Sequence, residues 1–198
     1  MSRIGVFGGT FDPVHNGHLI MAQEAVVRLK LDRMLFMALN RPPHKRAPHL
    51  AQVEHRIAML RLATRGNARF EVSRLEADRG GTSYTVNTLE TLRRKLRGEL
   101  FFLLGQDSLD DFARWREPEK ILRLARLVVV PRGVKKAGLV PARVRRRVLV
   151  LEPPRIEISS TEIRRRLRRG LTVRYWTPDP VLRYMSRHGL YNTSRDRS

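Results

Sequence analysis

Gly8-Gly9-Thr10-Phe11-Asp12-Pro13-Val14-His15-Asn16-Gly17-His18 follows a short apolar run at residues 4–7 and leads into an amphipathic helical pattern. A strand that ends in two glycines and reopens as a helix is a sequence form of an anion site. Glycine lets the backbone turn tightly and approach a ligand, and a helix start presents unpaired N–H groups at the positive end of its dipole. Thr10 adds a hydroxyl, and His15 and His18, at i and i+3, face one way. The plain alternative is a strand-turn-helix junction with two solvated histidines. Zinc is the other rival, but the chain has no cysteine and no third ligand at metal spacing nearby, so no metal ligand is assigned.

The rest of the chain alternates in the same way. Strand-like runs at 4–7, 34–39 and 70–73 are separated by helical patterns at 17–30 and 53–64. A further helix over 86–96 puts Val86, Leu89, Leu92 and Leu96 on one face, and 100–104 and 127–130 read as buried strands. Such alternation predicts an α/β fold, a Rossmann-like parallel sheet with helices on both faces. Ligands in these sheets sit beyond the carboxyl ends of the strands, where the strand order reverses. The turns at Gly8 and Gly105 both fall at such ends. A last helix over 178–191 carries Val181, Tyr184 and Met185 on one face and is assigned to packing.

The least structured stretches are 40–48 and 133–141. Arg41-Pro42-Pro43-His44-Lys45 places basic side chains on a proline-stiffened loop directly after the second strand, again a ligand-facing end. At 198 residues the chain suits a single domain over 1–198, with a C-terminal helical segment from about 159. It contains no apolar run long enough to span a bilayer and opens directly in a polar-punctuated strand, so a soluble, cytoplasmic protein without a membrane partner is expected. The formal charge is +21, from 40 Lys plus Arg against 19 Asp plus Glu, and only six of the 40 are lysines. That excess invites a nucleic-acid reading. The arginines are nevertheless spread along the whole chain, and no zinc finger or aromatic RNA-binding strand accompanies them. The charge is therefore read as a solvated face, with no specific nucleic acid expected.

Near the C-terminus, Ile158-Ser159-Ser160-Thr161-Glu162-Ile163-Arg164 has capping-box spacing: Ser159 caps the N–H of Glu162, and Glu162 reaches back. Ser160 and Thr161 then sit on a first helical turn with hydroxyls and free N–H groups, and Arg164 follows one turn later. This makes a second phosphate cradle.

Gly-Gly-Thr-Phe-Asp-Pro with His15-Asn16-Gly17-His18 resembles the signature of the His-x-Gly-His nucleotidyltransferase superfamily. Its wording is closest to bacterial nicotinate-nucleotide adenylyltransferases, although phosphopantetheine adenylyltransferases begin similarly. Pro42-Pro43-His44-Lys45 and Ile-Ser-Ser-Thr-x-Ile-Arg match the same family, in the same order, as does Pro-x-x-Val-x-x-Tyr from Pro178. Asn16 occupies a variable position, and the family's Arg-Pro-Gly turn appears as Pro131-Arg132-Gly133 with its first two residues exchanged.

The resemblance implies a nucleotidyltransferase-type fold and an enzyme of NAD biosynthesis. Such an enzyme moves the adenylyl group of ATP to nicotinate mononucleotide, with Mg²⁺ bound mainly through the ATP phosphates. His18 and His15 become the catalytic pair. Gly8, Gly9, Thr10, Phe11, Lys45, Gly105, Asp107, Ser159, Ser160, Thr161 and Arg164 complete the ATP and phosphate site. Tyr84, Thr85, Trp115, Asp107 and Lys45 form the nicotinate-nucleotide site. Thr85 is expected to be a helix N-cap whose hydroxyl and neighbouring N–H groups accept a carboxylate, and Trp115, between Arg114 and Arg116, to be a partly open stacking surface. Asp107 is placed for ribose hydroxyls. A sister enzyme acting on nicotinamide mononucleotide or phosphopantetheine, or a basic nucleic-acid-binding protein, are the alternatives.

Overall fold

A computed structural model describes residues 1–40, 50–131, 144, 148–154 and 156–191. Six strands, β1 (Arg3–Gly9), β2 (Arg33–Ala38), β3 (Phe70–Ser73), β4 (Glu99–Gly105), β5 (Arg126–Val130) and β6 (Val148–Val150), form one sheet in the order β3-β2-β1-β4-β5-β6. Every pairing is parallel. Parallel neighbours need crossovers, and these are supplied chiefly by helices α1 (Asn16–Arg28), α2 (Val53–Thr64), α4 (Thr85–Lys95) and α6 (Pro118–Leu124). Short helices α3 (Leu75–Arg79) and α5 (Gln106–Asp110) and a 3₁₀ turn at Phe112–Arg114 complete the middle of the chain. Helices α7 (Ser160–Arg168) and α8 (Asp179–Arg187) follow β6 among the described residues.

Side chains alternate across the sheet, so each strand feeds two cores. Along β4, Phe101 and Leu103 join the core beneath α1, α2, α7 and α8, whereas Leu100, Phe102 and Leu104 join the one beneath α4 and α6. Val128 and Val130 of β5 divide from Leu127 and Val129 in the same way. Burial on both faces explains why these strands are nearly continuous apolar runs, and the expected helix-covered parallel sheet is what forms.

The strand order reverses between β1 and β4, which pair with Phe7 opposite Leu103. Their carboxyl ends, Gly8-Gly9 and Gly105, therefore open side by side at the switch point. No helix among the described residues is long and apolar enough to cross a membrane.

The last helix is shorter than its sequence pattern, ending at Arg187 instead of continuing to 191. Gly189 adopts φ +61°, with bonds from its N–H to Ser186 O (3.2 Å) and from Leu190 N–H to Met185 O (2.9 Å). This glycine-terminated Schellman turn stops the helix and redirects Leu190 and Tyr191 toward the body of the protein.

Candidate active site

The turn after β1 is built by Phe11. Its ring is 2% exposed and lies edge-on to Phe7 (5.3 Å) and His18 (5.0 Å), with a backbone φ of +49°. A Cβ on Gly9 would stand 2.9 Å from that ring, so position 9 has no room for a side chain. Phe11 thus supports the site from the core.

His15 is the N-cap of α1 and is buried, whereas His18, at N3, is half-buried. The His15 N–H donates to His18 Nδ1 at 3.2 Å, and the two rings stack at 3.6 Å and 24°. With Nδ1 accepting, a neutral His18 carries its ring proton on Nε2. Gly17 lets the helix start pack closely on the His15 ring, where a Cβ would stand 3.1 Å away. No acidic residue stands in the first turn of α1, so its positive end is not offset by a side chain of its own helix. Asn16 is more than a variable spacer: its N–H and Nδ2 donate to the carbonyls of Trp176 (2.9 Å) and Tyr175 (2.7 Å), tying α1 to the segment before α8.

The second motif docks onto the first. Ser159 caps α7, its Oγ accepting from Glu162 N–H at 3.1 Å. The returning half of the expected capping box is replaced. Glu162 instead makes two 2.6 Å bonds with Arg165, and this contact holds its carboxyl below the usual carboxylate range. Ser160 is less free than expected because its hydroxyl donates to Pro13 O at 2.9 Å. Arg164 Nη1 donates to Asp12 O at 2.6 Å and lies 3.6 Å from Asp12 Oδ2, while Nη2 reaches Thr161 Oγ1 at 3.4 Å. Motifs about 150 residues apart in sequence thus share one loop.

Two buried groups not assigned from sequence hold that loop. Asp12, 1% exposed, accepts from Tyr191 Oη (2.6 Å) and Ala51 N–H (3.2 Å) through Oδ1. Arg56, 2% exposed, donates to the carbonyls of Thr10 (2.9 Å), Leu39 (2.7 Å), Asn40 (3.2 Å) and Ala51 (2.9 Å). Burial lowers the Arg56 pKa, and the Asp12 charge opposes that shift. Arg56 was visible in principle, since Val53, Arg56, Leu60 and Thr64 share one helical stripe.

At the end of β4, Gly105 is the N-cap of α5. Asp107 lies in that helix, but its side chain is outside the described residues, as are Lys45 and the whole of 132–143. Trp115 is half-buried, packed on Phe112 (5.5 Å) and Phe102 (6.2 Å), which leaves the partly open ring expected of it. Tyr84 is the N-cap of α4 without a side-chain cap bond, and Thr85 is the first helical residue. The expected Thr85 cap is corrected accordingly: Tyr84 has the extended backbone, and Thr85 already has its N–H in the first turn. Arg116 lies 5.0 Å over the Tyr84 ring, joining the Tyr84 and Trp115 segments. Ser83 Oγ accepts from Asn40 N–H at 3.0 Å, so this segment is tethered to the end of β2. Among the described residues no group of three or more His, Cys, Asp or Glu side chains could hold a metal ion.

Residues 6–166 match the cytidylyltransferase-like family. A protein of Thermus thermophilus described as a probable nicotinate-nucleotide adenylyltransferase is 48% identical, over 96% of this chain and 99% of its own. A Roseiflexus protein of the same description is 47% identical over 95% of this chain and 97% of its own. The chain belongs to the nicotinate-nucleotide adenylyltransferase family. A solved nicotinic acid mononucleotide adenylyltransferase of Plasmodium falciparum, complexed with NaAD, has the same fold at 19% identity, with a TM-score of 0.79 over 96% of this chain and 98% of that one. The matched span includes both the Gly8–His18 stretch and the Ser159–Arg164 stretch, which meet at Asp12.

Proposed function

We propose that this adenylyltransferase joins ATP and nicotinate mononucleotide to give nicotinate adenine dinucleotide and pyrophosphate, a step of NAD biosynthesis. The observation that carries the reading is the docking of the Ser159–Arg164 motif on the Asp12-Pro13 loop, at the sheet's switch point. Two helix N-termini and a guanidinium converge there, as a triphosphate requires. We treat residues 1–198 as one nucleotidyltransferase unit working in the cytoplasm.

The acceptor's 5′-phosphate has its second pKa near ~6, so it is already ionised at neutral pH and needs no general base. It attacks the α-phosphorus, the bond to the β-phosphate bridging oxygen breaks, and pyrophosphate leaves with the electron pair. The protein's part is to align two polyanions and stabilise the charge spreading over the transferring group. His18 Nε2 is assigned to the α-phosphate, beside Gly8, Gly9, Thr10, His15 and Lys45. Ser160, Thr161 and Arg164 serve the departing pyrophosphate. Magnesium carried in with ATP would be held mainly by phosphate and water rather than by side chains, and would screen phosphate charge while His18, Lys45 and Arg164 align the phosphates. Mass-spectrometric detection of the dinucleotide from ATP and nicotinate mononucleotide tests the assignment, and its absence from an active, folded preparation contradicts it.

Arg164→Ala is expected to raise the KM for ATP about tenfold, with a smaller change for the acceptor, because the guanidinium serves only the nucleotide triphosphate. Arg164→Lys should restore only part of this, since an ammonium cannot hold Asp12 and phosphate as a planar fork does. Unchanged ATP kinetics in Arg164→Ala would reduce the motif to a helix cap.

The pyridine ring is assigned to Trp115 and its carboxylate to the Tyr84-Thr85 helix start, with Asp107 on ribose. Losing one aromatic stacking partner costs about 1–3 kcal/mol, so Trp115→Ala should raise the KM for nicotinate mononucleotide by about tenfold and affect ATP less. A defect confined to ATP would move Trp115 out of the acceptor pocket.

A further inference from the structure

The buried contacts around Asp12 are more elaborate than a turn requires. Its carboxylate stands where four separated parts of the chain meet: the β1 loop, Ala51 before α2, Arg164 on α7, and Tyr191 after α8. Oδ1 is saturated by the Tyr191 hydroxyl and the Ala51 N–H. Oδ2 is buried without a hydrogen-bond partner and faces Arg164 Nη1 at 3.6 Å. A desolvated carboxylate oxygen is costly unless counter-charge stands near; Arg56 contributes at longer range, and Arg164 is the cation facing Oδ2. The same Nη1 is already bonded to Asp12 O at 2.6 Å, so one edge of the guanidinium is spent on residue 12. Its remaining donors are thereby turned toward Thr161 in the first turn of α7.

We propose that Asp12, oriented by the Tyr191 hydroxyl, is a positioning residue that aims Arg164 at the ATP phosphates. Tyr191 reaches Asp12 only because the Gly189 turn ends α8 and sends the chain back. The hydroxyl keeps its proton, since burial first and the Asp12 charge second push its ionisation well above that of a free tyrosine. It is therefore the donor in the 2.6 Å bond to Oδ1. With Oδ1 pinned by two donors, the carboxylate cannot rotate, and Oδ2 stays opposite Arg164. Residues near the C-terminus thus set nucleotide affinity without touching nucleotide.

The inference rests on the adenylyl-transfer reading only for Arg164 as a phosphate ligand, so ATP binding is the direct measure. Calorimetric titration of the full chain with ATP should show Tyr191→Phe binding at least about fivefold more weakly than wild type, while nicotinate mononucleotide binding changes by less than about twofold. In an Arg164→Ala background the same substitution should have no further effect on ATP. Asp12→Asn keeps an acceptor for Tyr191 and removes the charge facing Arg164, and it should weaken ATP selectively too. Unchanged ATP affinity in either variant, equal losses for both nucleotides, or a Tyr191→Phe loss that multiplies with Arg164→Ala would overturn the proposal. Wild type that binds ATP but does not transfer adenylate to nicotinate mononucleotide would instead overturn the acceptor assignment and leave this inference intact.

Discussion

His18→Ala folds and turns over at least about a hundredfold more slowly than the parent at saturating ATP. That is the usual loss when a donor aimed at transition-state charge is removed. The expectation follows from the ring's fixed geometry. Stacking on His15 at 3.6 Å, edge contact with Phe11 at 5.0 Å and the 3.2 Å bond to Nδ1 leave the imidazole little freedom. Such a donor stabilises charge without reorganising during the reaction. Loss of the Nδ1 contact should cost about 1 kcal/mol of stability, as for other helix caps, so thermal unfolding separates it from the kinetic effect. His15→Ala should be comparable or somewhat milder, acting through the stack. Near wild-type turnover in folded His18→Ala would withdraw the phosphate role from the opening motif.

The second large effect is on folding itself. Arg56→Ala should lower unfolding stability by about 3–5 kcal/mol in a urea titration, the range for removing one member of a buried charge network. Its guanidinium satisfies four carbonyls at the ends of β1 and β2 and ahead of α2, and the residue is only 2% exposed. Alanine leaves those acceptors unpaired and Asp12 with less compensating charge. Arg56→Lys should recover little, since one ammonium cannot reproduce the fork. A loss below about 1 kcal/mol would show that the carbonyls find other donors.

These two residues mark what could be read from the chain and what could not. His15 and His18 stood out because helix spacing and a preceding strand are local signals. The long elements were legible for the same reason: residues 53–64 formed the helix that their periodicity indicated, and 70–73 the expected strand. Short helices such as Leu75–Arg79 and Gln106–Asp110 lack enough turns to show a period, and the three-residue edge strand Val148–Val150 is too brief to announce itself. Thr85 was misplaced by one position because Tyr84, a poor capping residue, takes the extended conformation. The Asp12 network was invisible for a deeper reason. Asp12 and Tyr191 are 179 positions apart, and a contact of that separation exists only after the sheet has brought both ends together. Arg56 carried a faint signal, an arginine on the inward-facing helical stripe with Val53, Leu60 and Thr64, which charge abundance in this arginine-rich chain concealed.

The central claim, adenylyl transfer to the acid form of the pyridine nucleotide, is tested most directly by one side-by-side measurement. Pyrophosphate release from MgATP is followed with nicotinate mononucleotide, nicotinamide mononucleotide and phosphopantetheine as separate acceptors, and kcat/KM is compared. A clear preference for nicotinate mononucleotide is expected, because the helix start at Tyr84-Thr85 offers N–H donors that suit a carboxylate better than an amide. A preference for the amide or for phosphopantetheine would contradict the account.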